Sequence, residues 1–364
     1  MKVAHFIDSG GFYGAERMLI ELILAMPNCT KHKVYSVGAP SEAEKPLEIE
    51  LRKRCIDFEA VRMPKFSINA AYEALKQVER DGFQIAHSHG YKFNVYFGVL
   101  KGKTALKLVS TIHGYIPAFF PSKLWFYQVL DSFFVKKLDK LFLVSPHMLN
   151  FAKFKSISPK KLKVIVNGIE DLESSYSWNA TGGTTNLLFV GRLSFEKGIL
   201  ELVETVSKIR NSGEDVALSI MGEGPLRETI AAKVKELKLQ DSIHLLSYVE
   251  NPANKMGDYD ALVINSVTEG VPITLLESMR VGLPVVATDV GGISYVLGKN
   301  YPFVCREASG ESVEEKIYQY IQKCEDQKNE ISRHIKKRFA QQFTSAIMAE
   351  QYINEYKELL LNSE

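Results

Sequence analysis

The sequence predicts an α/β protein built as two doubly wound parallel-sheet domains. Three observations carry this. The chain has 364 residues, more than one core of about 100–200 residues needs. Short β-branched or apolar runs alternate with helically spaced apolar residues, the pattern of repeated βα units. That alternation stops at residues 171–185, DLESSYSWNATGGTT, and then begins again.

The first series opens with a strand at Val3 to Ile7. Gly14 then leads into AERMLIELILAM, whose apolar residues recur at helical spacing. KVYSVG, FQIAHSH, LKLVSTIH, KLFLVS and KVIVNG read as further strands, with helical stretches between most of them. Residues 171–185 are rich in Ser, Thr and Gly and lack apolar periodicity, so they read as a linker or surface loop. The second series runs NLLFVGR, a helix to Ile209, VALSIMGEG, a helix to Leu239, SIHLLSYV, a short helix, ALVINS, TEGVPITLLE and PVVATD. Residues 311–325 and 345–361 read as closing helices. The expected division is a first domain at 1–170, a linker at 171–185 and a second domain at 186–345. A terminal helical segment, 346–364, is expected to pack back on the first domain. Two like folds facing a cleft would bind ligands there, as open α/β sheets do.

Composition narrows the class. Apolar residues make up 46% and charged residues 24%, the balance of a soluble globular protein. No apolar run reaches the roughly 18 residues of a membrane span. MKVAHFIDSGG enters a strand directly, without a signal-peptide pattern. Cys29, Cys55, Cys305 and Cys324 form no CxxC pair and read as reduced cytoplasmic thiols. The net charge of +2 hides an asymmetry. Residues 1–170 carry 25 Lys+Arg against 15 Asp+Glu, and the remainder carries 20 against 28. Residues 101–163 hold twelve Lys against Asp131 and Asp139, and eight aromatics fall between Tyr115 and Phe134. Two readings stay open: solvated lysines over core aromatics, or a surface for a membrane interface or an anionic partner. Nucleic acid is not an expected partner.

The chemistry concentrates in the second series. In TEGVPITLLE, Pro272 suits the first helical position, where its missing N–H costs nothing. Gly282 suits the helix stop. Glu269 then lies in the loop before the helix and Glu277 lies inside it. Between them, the N–H groups of Gly270, Val271, Ile273 and Thr274, with Pro272 among them, form a helix N-terminus suited to an anion. A strand-end loop upstream, VGRLSFEKG, offers cations at Arg192 and Lys197, the usual partners of a diphosphate. Taken alone, each cation reads first as a surface ion pair and Glu277 first as an N-terminal helix charge. Their recurrence at successive strand ends of one domain favours a common site. A dinucleotide dehydrogenase does not fit, because SGGFYG has the wrong spacing for GxGxxG.

These stretches resemble a known family. FVGRLSFEKG, IMGEGPLRETI and SVTEGVPITLLESMRVGLPVVATDVGG are similar to the donor domain of retaining glycosyltransferases of family 4, which have the GT-B fold of two Rossmann-like domains. The Glu, seven residues, Glu spacing of Glu269 and Glu277 is that family's motif. GGFYGAERML, HSHG, STIHG and VNGIE resemble its acceptor-domain and hinge signatures, so the likeness covers nearly the whole chain. One departure is Tyr295, in GGISYVL, where the family often has a peripheral Glu. Another is GGFYGAER, two residues longer than the compact form, which puts Phe12 and Tyr13 in reach of the acceptor or over the sugar.

The resemblance implies roles. Arg192 and Lys197 would hold the diphosphate of a UDP- or GDP-linked sugar. Glu277 would bind the ribose and Glu269 the donor sugar. The backbone from Gly270 to Thr274 would support phosphate and sugar, Gly14 would approach the diphosphate, and Tyr248 and Val249 would border the base. His113 matches a histidine near the transferred sugar; without the resemblance it reads as a structural strand-end residue. The family usually needs no metal or other cofactor, and His87 with His89 lacks a third ligand in the sequence. The implied reaction moves a sugar to a hydroxyl of a glycan or lipid-linked acceptor, with retention, in cell-surface polysaccharide assembly. The implied location is the cytoplasm or the inner face of the inner membrane. Rival readings are a nucleotide-sugar epimerase on the same fold and a non-catalytic nucleotide-sugar-binding scaffold.

Overall fold

The computed structural model describes residues 1–8, 10–64, 67–114, 120, 122–172, 178, 183–306 and 312–361. The chain divides into two compact units: Met1–Glu170 with Ser345–Glu364, and Asp171–Thr344.

The first unit carries strands β1 (Lys2–Ile7), β2 (Lys31–Gly38), β3 (Phe58–Arg62), β4 (Ile85–Ser88), β5 (Lys107–Ile112), β6 (Lys140–Leu143) and β7 (Leu162–Val164). They form one parallel sheet in the order β3-β2-β1-β4-β5-β6-β7. The central strands β4 and β6 are buried throughout, as expected where helices cover both faces. The helices here are α1 (Gly14–Leu24), α2 (Pro46–Lys53), α3 (Ile68–Arg80), α4 (Tyr91–Leu100), α5 (Lys123–Phe134) and α6 (Ala152–Lys155). Strand order reverses between β1 and β4, and ligands of such sheets bind beyond the carboxyl ends at that point.

The second unit repeats the plan. It has α7 (Ile199–Asn211), α8 (Arg227–Glu236), α9 (Ile273–Val281), α10 (Ile293–Leu297), α11 (Val313–Ile321) and α12 (Glu325–Gln342). Its strands are β8 (Thr185–Val190), β9 (Val216–Met221), β10 (Ile243–Leu246), β11 (Ala261–Ile264), β12 (Val285–Thr288) and β13 (Val304–Cys305). They are parallel in the order β10-β9-β8-β11-β12-β13, which reverses between β8 and β11.

The last helix, α13 (Ser345–Leu361), belongs to the first unit. Tyr352 and Tyr356 are fully buried there. Glu355 pairs with Lys140 at 2.6 Å and Lys163 at 2.7 Å, fixing α13 to β6 and β7.

The structure differs from the sequence reading at several places. β3, β13 and α12 lie outside it. The β3 segment, FEAVR, has no buried residue, and β13 has two residues. Only Ser332, Ile335 and Phe339 of α12 are buried, so its apolar stripe is thin. Within 171–185, Trp178 is buried, and its Nε1 donates to the Tyr259 carbonyl at 2.7 Å. Tyr115 and Phe119 of the aromatic stretch lie outside the described residues.

Candidate active site

In the second unit, three loops meet at the carboxyl edge beside the β8–β11 reversal. The loop after β8 carries Arg192 and Lys197. The loop after β11 carries Glu269 to Pro272 and leads into α9. Val267 N–H donates to the Glu196 carbonyl at 2.9 Å, and the Asn265 amide donates to the Gly198 carbonyl at 2.7 Å. The loop after β12 joins them through the Thr288 hydroxyl, donating to Ser266 O at 2.7 Å, and Gly292 N–H, donating to Gly270 O at 2.7 Å.

Two glycines make this contact possible. Gly198 has φ +61°, and a Cβ there would lie 2.0 Å from the Asn265 carbonyl oxygen. Gly291 also has φ +61°, and a Cβ there would lie 2.1 Å from the Glu269 carbonyl oxygen. Neither place admits a side chain without moving backbone.

The fold brings Lys197 and Glu269 together. Lys197 Nζ lies 2.5 Å from Glu269 Oε1, and the Ser266 hydroxyl donates to the same oxygen at 2.6 Å. Arg192 is exposed at the start of its loop. Burial works against the Glu196 carboxylate. The Ser194 hydroxyl at 2.6 Å, its own backbone N–H, and the charges of Lys197 and Arg192 nevertheless hold its pKa below the usual range.

Pro272 is the cap of α9, with Ile273 the first helical residue. The sequence reading had Pro272 one position later, an ordinary uncertainty at helix ends. Val271 and Ile273 are buried, whereas Gly270, Pro272 and Thr274 are half-buried around the helix start. Of its first-turn N–H groups, that of Leu275 donates to the Pro272 carbonyl at 3.2 Å, whereas a helix start has no preceding turn to accept from the others, so this end suits an anion. Glu277 is buried within α9. The helix stops at Gly282, in left-handed conformation, whose N–H donates to Ser278 O at 2.9 Å. Tyr248 and Val249 follow β10, two strands from β8. Tyr248 is exposed and Val249 half-buried.

In the first unit, Gly14 opens α1 just beyond β1, with Tyr13 as its cap. Phe12 packs against the cluster containing Ile7, Leu19 and Val34, which leaves Tyr13 as the outward aromatic. Nearby, Asp8 pairs with Lys92 at 2.9 Å and Lys45 at 3.4 Å. The sequence reading missed this group, because the three residues come from separate βα units.

His113 follows directly after β5 and joins a histidine cluster in which His5, His87 and His89 are buried. Its Nε2 lies 3.0 Å from His89 Nδ1, and His89 Nε2 lies 3.1 Å from His5 Nδ1. His5 Nε2 lies 3.0 Å from His32 Nδ1. The sequence offered no third ligand beside His87 and His89, but parallel pairing of β1 with β4 supplies His5. Ring nitrogens of these three lie within 4.8 Å of one another. All six already have partners, His87 through Tyr356 Oη at 2.6 Å and Thr111 Oγ1 at 2.8 Å. A metal would have to displace those bonds, so the cluster reads as a hydrogen-bond network. Burial holds the His5, His87 and His89 pKa values well below the usual imidazole range and lowers that of His113 to about 4.

Residues 12–171 match the family model described as Glycosyltransferase Family 4, and residues 173–338 match that for Glycosyl transferases group 1. The O-antigen biosynthesis glycosyltransferase WclY of Escherichia coli is 21% identical over 99% of both chains. An uncharacterized glycosyltransferase of Methanocaldococcus jannaschii is 26% identical over 45% of this chain, which spans only 41% of that relative's length. The crystal structure of Anabaena Alr3699/HepE in complex with UDP superposes with a TM-score of 0.81, at 16% identity, over 98% of this chain and 100% of that one.

Proposed function

We propose, for a chain that belongs to the family 4 type of glycosyltransferase with a GT-B fold, that it moves a sugar from a nucleotide-diphosphate donor to a hydroxyl of a glycan or lipid-linked acceptor, with retained configuration. The observation that carries this reading is the meeting of Lys197 and Glu269 beside the start of α9. One cluster of strand-end loops there offers a cation, a carboxylate and a helix N-terminus. Lys197, Arg192 and the first turn of α9 hold the diphosphate, Glu269 holds the donor sugar, and Glu277 holds the ribose.

The chemistry follows from where charge develops. The C1–O bond breaks and its electron pair stays on the diphosphate. Lys197, Arg192 and the helix end stabilise that charge, the kind of electrostatic term that usually dominates. The acceptor oxygen forms its bond to C1 on the same face, and its proton passes to a diphosphate oxygen. Retaining glycosidases hold two carboxylates about 5 Å apart and use one as nucleophile. Here Glu269 and Glu277 serve different parts of the donor, and neither acts as nucleophile.

A UDP-linked donor draws support from the UDP complex of the Anabaena protein, and a cell-surface polysaccharide acceptor from WclY. Within the second unit Tyr248 and Val249 border the base, and in the first unit Gly14, His113, Phe12 and Tyr13 are the residues we assign to substrate. The reaction needs no metal. The acceptor is met at an anionic membrane surface: Phe126 and Phe133 are exposed on α5, followed by exposed Lys136 and Lys137. No described helix is long and apolar enough to cross a membrane. Incubating UDP- and GDP-sugars with and without a polyprenyl-linked acceptor tests the reading. Acceptor-dependent release of nucleoside diphosphate is expected, and its absence with every donor would overturn it.

A further inference from the structure

Four imidazoles of the first unit form one hydrogen-bonded chain across the adjacent strands β2, β1, β4 and β5. Its outer end fixes its direction. The Thr30 hydroxyl donates to the Pro27 carbonyl at 2.8 Å. A hydroxyl has one proton, so toward His32 Nε2, at 3.0 Å, the same oxygen can only accept. His32 therefore carries its proton on Nε2. A neutral imidazole has one donor and one acceptor nitrogen, so His32 Nδ1 accepts from His5 Nε2. The same step repeats inward: His5 Nδ1 accepts from His89 Nε2, and His89 Nδ1 accepts from His113 Nε2. His113 Nδ1 is left with its lone pair. That atom is buried and has no hydrogen-bond partner among the described residues.

Neutrality along the chain is what burial requires. Burial, and then the charges of His32 and His87, lower the His5 pKa. Burial, then His87, His113 and His5, lower that of His89. Burial and the N-terminal ammonium bring His32 down to about 4. The opposite polarity, with every proton on Nδ1, would keep the same number of bonds between the rings. It would make His113 Nδ1 a donor, and only the Thr30 end selects against it.

We propose that Thr30, His32, His5 and His89 are positioning residues that set the tautomer of His113, so that its Nδ1 accepts from a neutral O–H donor, such as a sugar hydroxyl, and disfavours anionic oxygen. Naming that donor as substrate rests on the glycosyl-transfer reading; the tautomer itself does not.

The test uses the full chain labelled with ¹⁵N-histidine and long-range ¹H–¹⁵N spectra at pH 7. His5, His32, His89 and His113 are expected as Nε2–H tautomers. Thr30→Val removes the terminal acceptor and is expected to give His113 an Nδ1–H population, with Thr30→Ser restoring the wild-type pattern. In UDP-glucose turnover, Thr30→Val is expected to lower kcat/KM about three- to tenfold, the loss of one ordinary hydrogen bond, again rescued by Ser. An Nδ1–H tautomer at wild-type His113, or an unchanged His113 spectrum in Thr30→Val, overturns the proposal. The expected tautomers with no turnover of any UDP- or GDP-sugar would support the relay and sink the transfer reading.

Discussion

Lys197 Nζ and Glu269 Oε1 lie 2.5 Å apart, although 72 residues separate them in the chain. The cation assigned to the diphosphate and the carboxylate assigned to the sugar therefore form one unit. Lys197→Ala leaves a mostly buried carboxylate without its cation, and Glu269→Gln removes the charge that holds Lys197. Each change is expected to lower kcat/KM for transfer about a hundredfold, the scale of losing one oriented charge at a reacting centre. The double variant should be non-additive by about 0.5–3 kcal/mol, as for residues in contact. Steady-state kinetics of the four proteins measures this. Additive effects would show that the two side chains work separately.

Glu277 is a different kind of test, because it concerns binding alone. It is buried in α9, and its assigned task is to accept hydrogen bonds from ribose hydroxyls. Glu277→Ala is expected to weaken UDP binding about tenfold to a hundredfold, the range for hydrogen bonds to a charged group. Calorimetric titration with UDP reads it directly. Unchanged affinity in a folded variant would remove Glu277 from the site.

What was legible in the sequence was local. VGRLSFEKG holds a strand end, a loop and glycines, and TEGVPITLLE holds a loop, a glycine and a helix start, so local spacing pointed to a candidate site in the second unit. The histidine chain was not legible. His5, His32, His89 and His113 lie 24 to 84 residues apart along their bonds, and only parallel register puts them on one face. Asp8, Lys45 and Lys92 come from separate βα units and likewise meet only in the fold. The helix α12 escaped because three buried positions in eighteen residues make a weak periodic signal. Phe12 shows another limit: it is half-buried against the cluster that contains Ile7 and Leu19, and that packing depends on where β1 and α1 lie.

Gly198 is where this local geometry can be broken most cheaply. Its φ is +61°, and an added Cβ would meet the Asn265 carbonyl oxygen at 2.0 Å. Gly198→Ala is expected to cost at least about 2 kcal/mol in urea unfolding, through strain and displaced backbone. Gly257 has nothing within 4 Å of such a Cβ, and Gly257→Ala should stay within about 0.5 kcal/mol. Equal stability of the two variants would show that the Gly198–Asn265 approach is not fixed.

The membrane proposal predicts a surface effect without a stability effect. Phe126 and Phe133 are 53% and 65% exposed and lie seven residues apart on α5, hence on one face. Replacing both by Ser is expected to abolish flotation with vesicles of phosphatidylglycerol and phosphatidylcholine while leaving the melting temperature within about 2 °C, since the exposed rings contribute little to the core. Wild-type binding that is absent, or insensitive to salt and to both substitutions, would count against the membrane partner.

The buried histidines make stability depend on pH in a defined direction. His5, His87 and His89 have pKa values well below the usual range, and His32 and His113 titrate at about 4. In the unfolded chain each takes up a proton near the ordinary imidazole value of 6.5. Above that pH both states are neutral and these residues add no pH dependence. Between about 6.5 and 4 the unfolded chain binds more protons than the native one, so stability must fall as pH falls. Each such histidine contributes a slope of up to about 1.4 kcal/mol per pH unit. Urea unfolding at pH 8, 7, 6 and 5 is expected to show little change in the first step and a steepening loss thereafter. His87→Phe keeps the ring volume and removes one of the titrating groups, so its slope should be shallower even if its stability at pH 8 is lower. A flat profile down to pH 5 would mean that these rings already carry protons in the native protein.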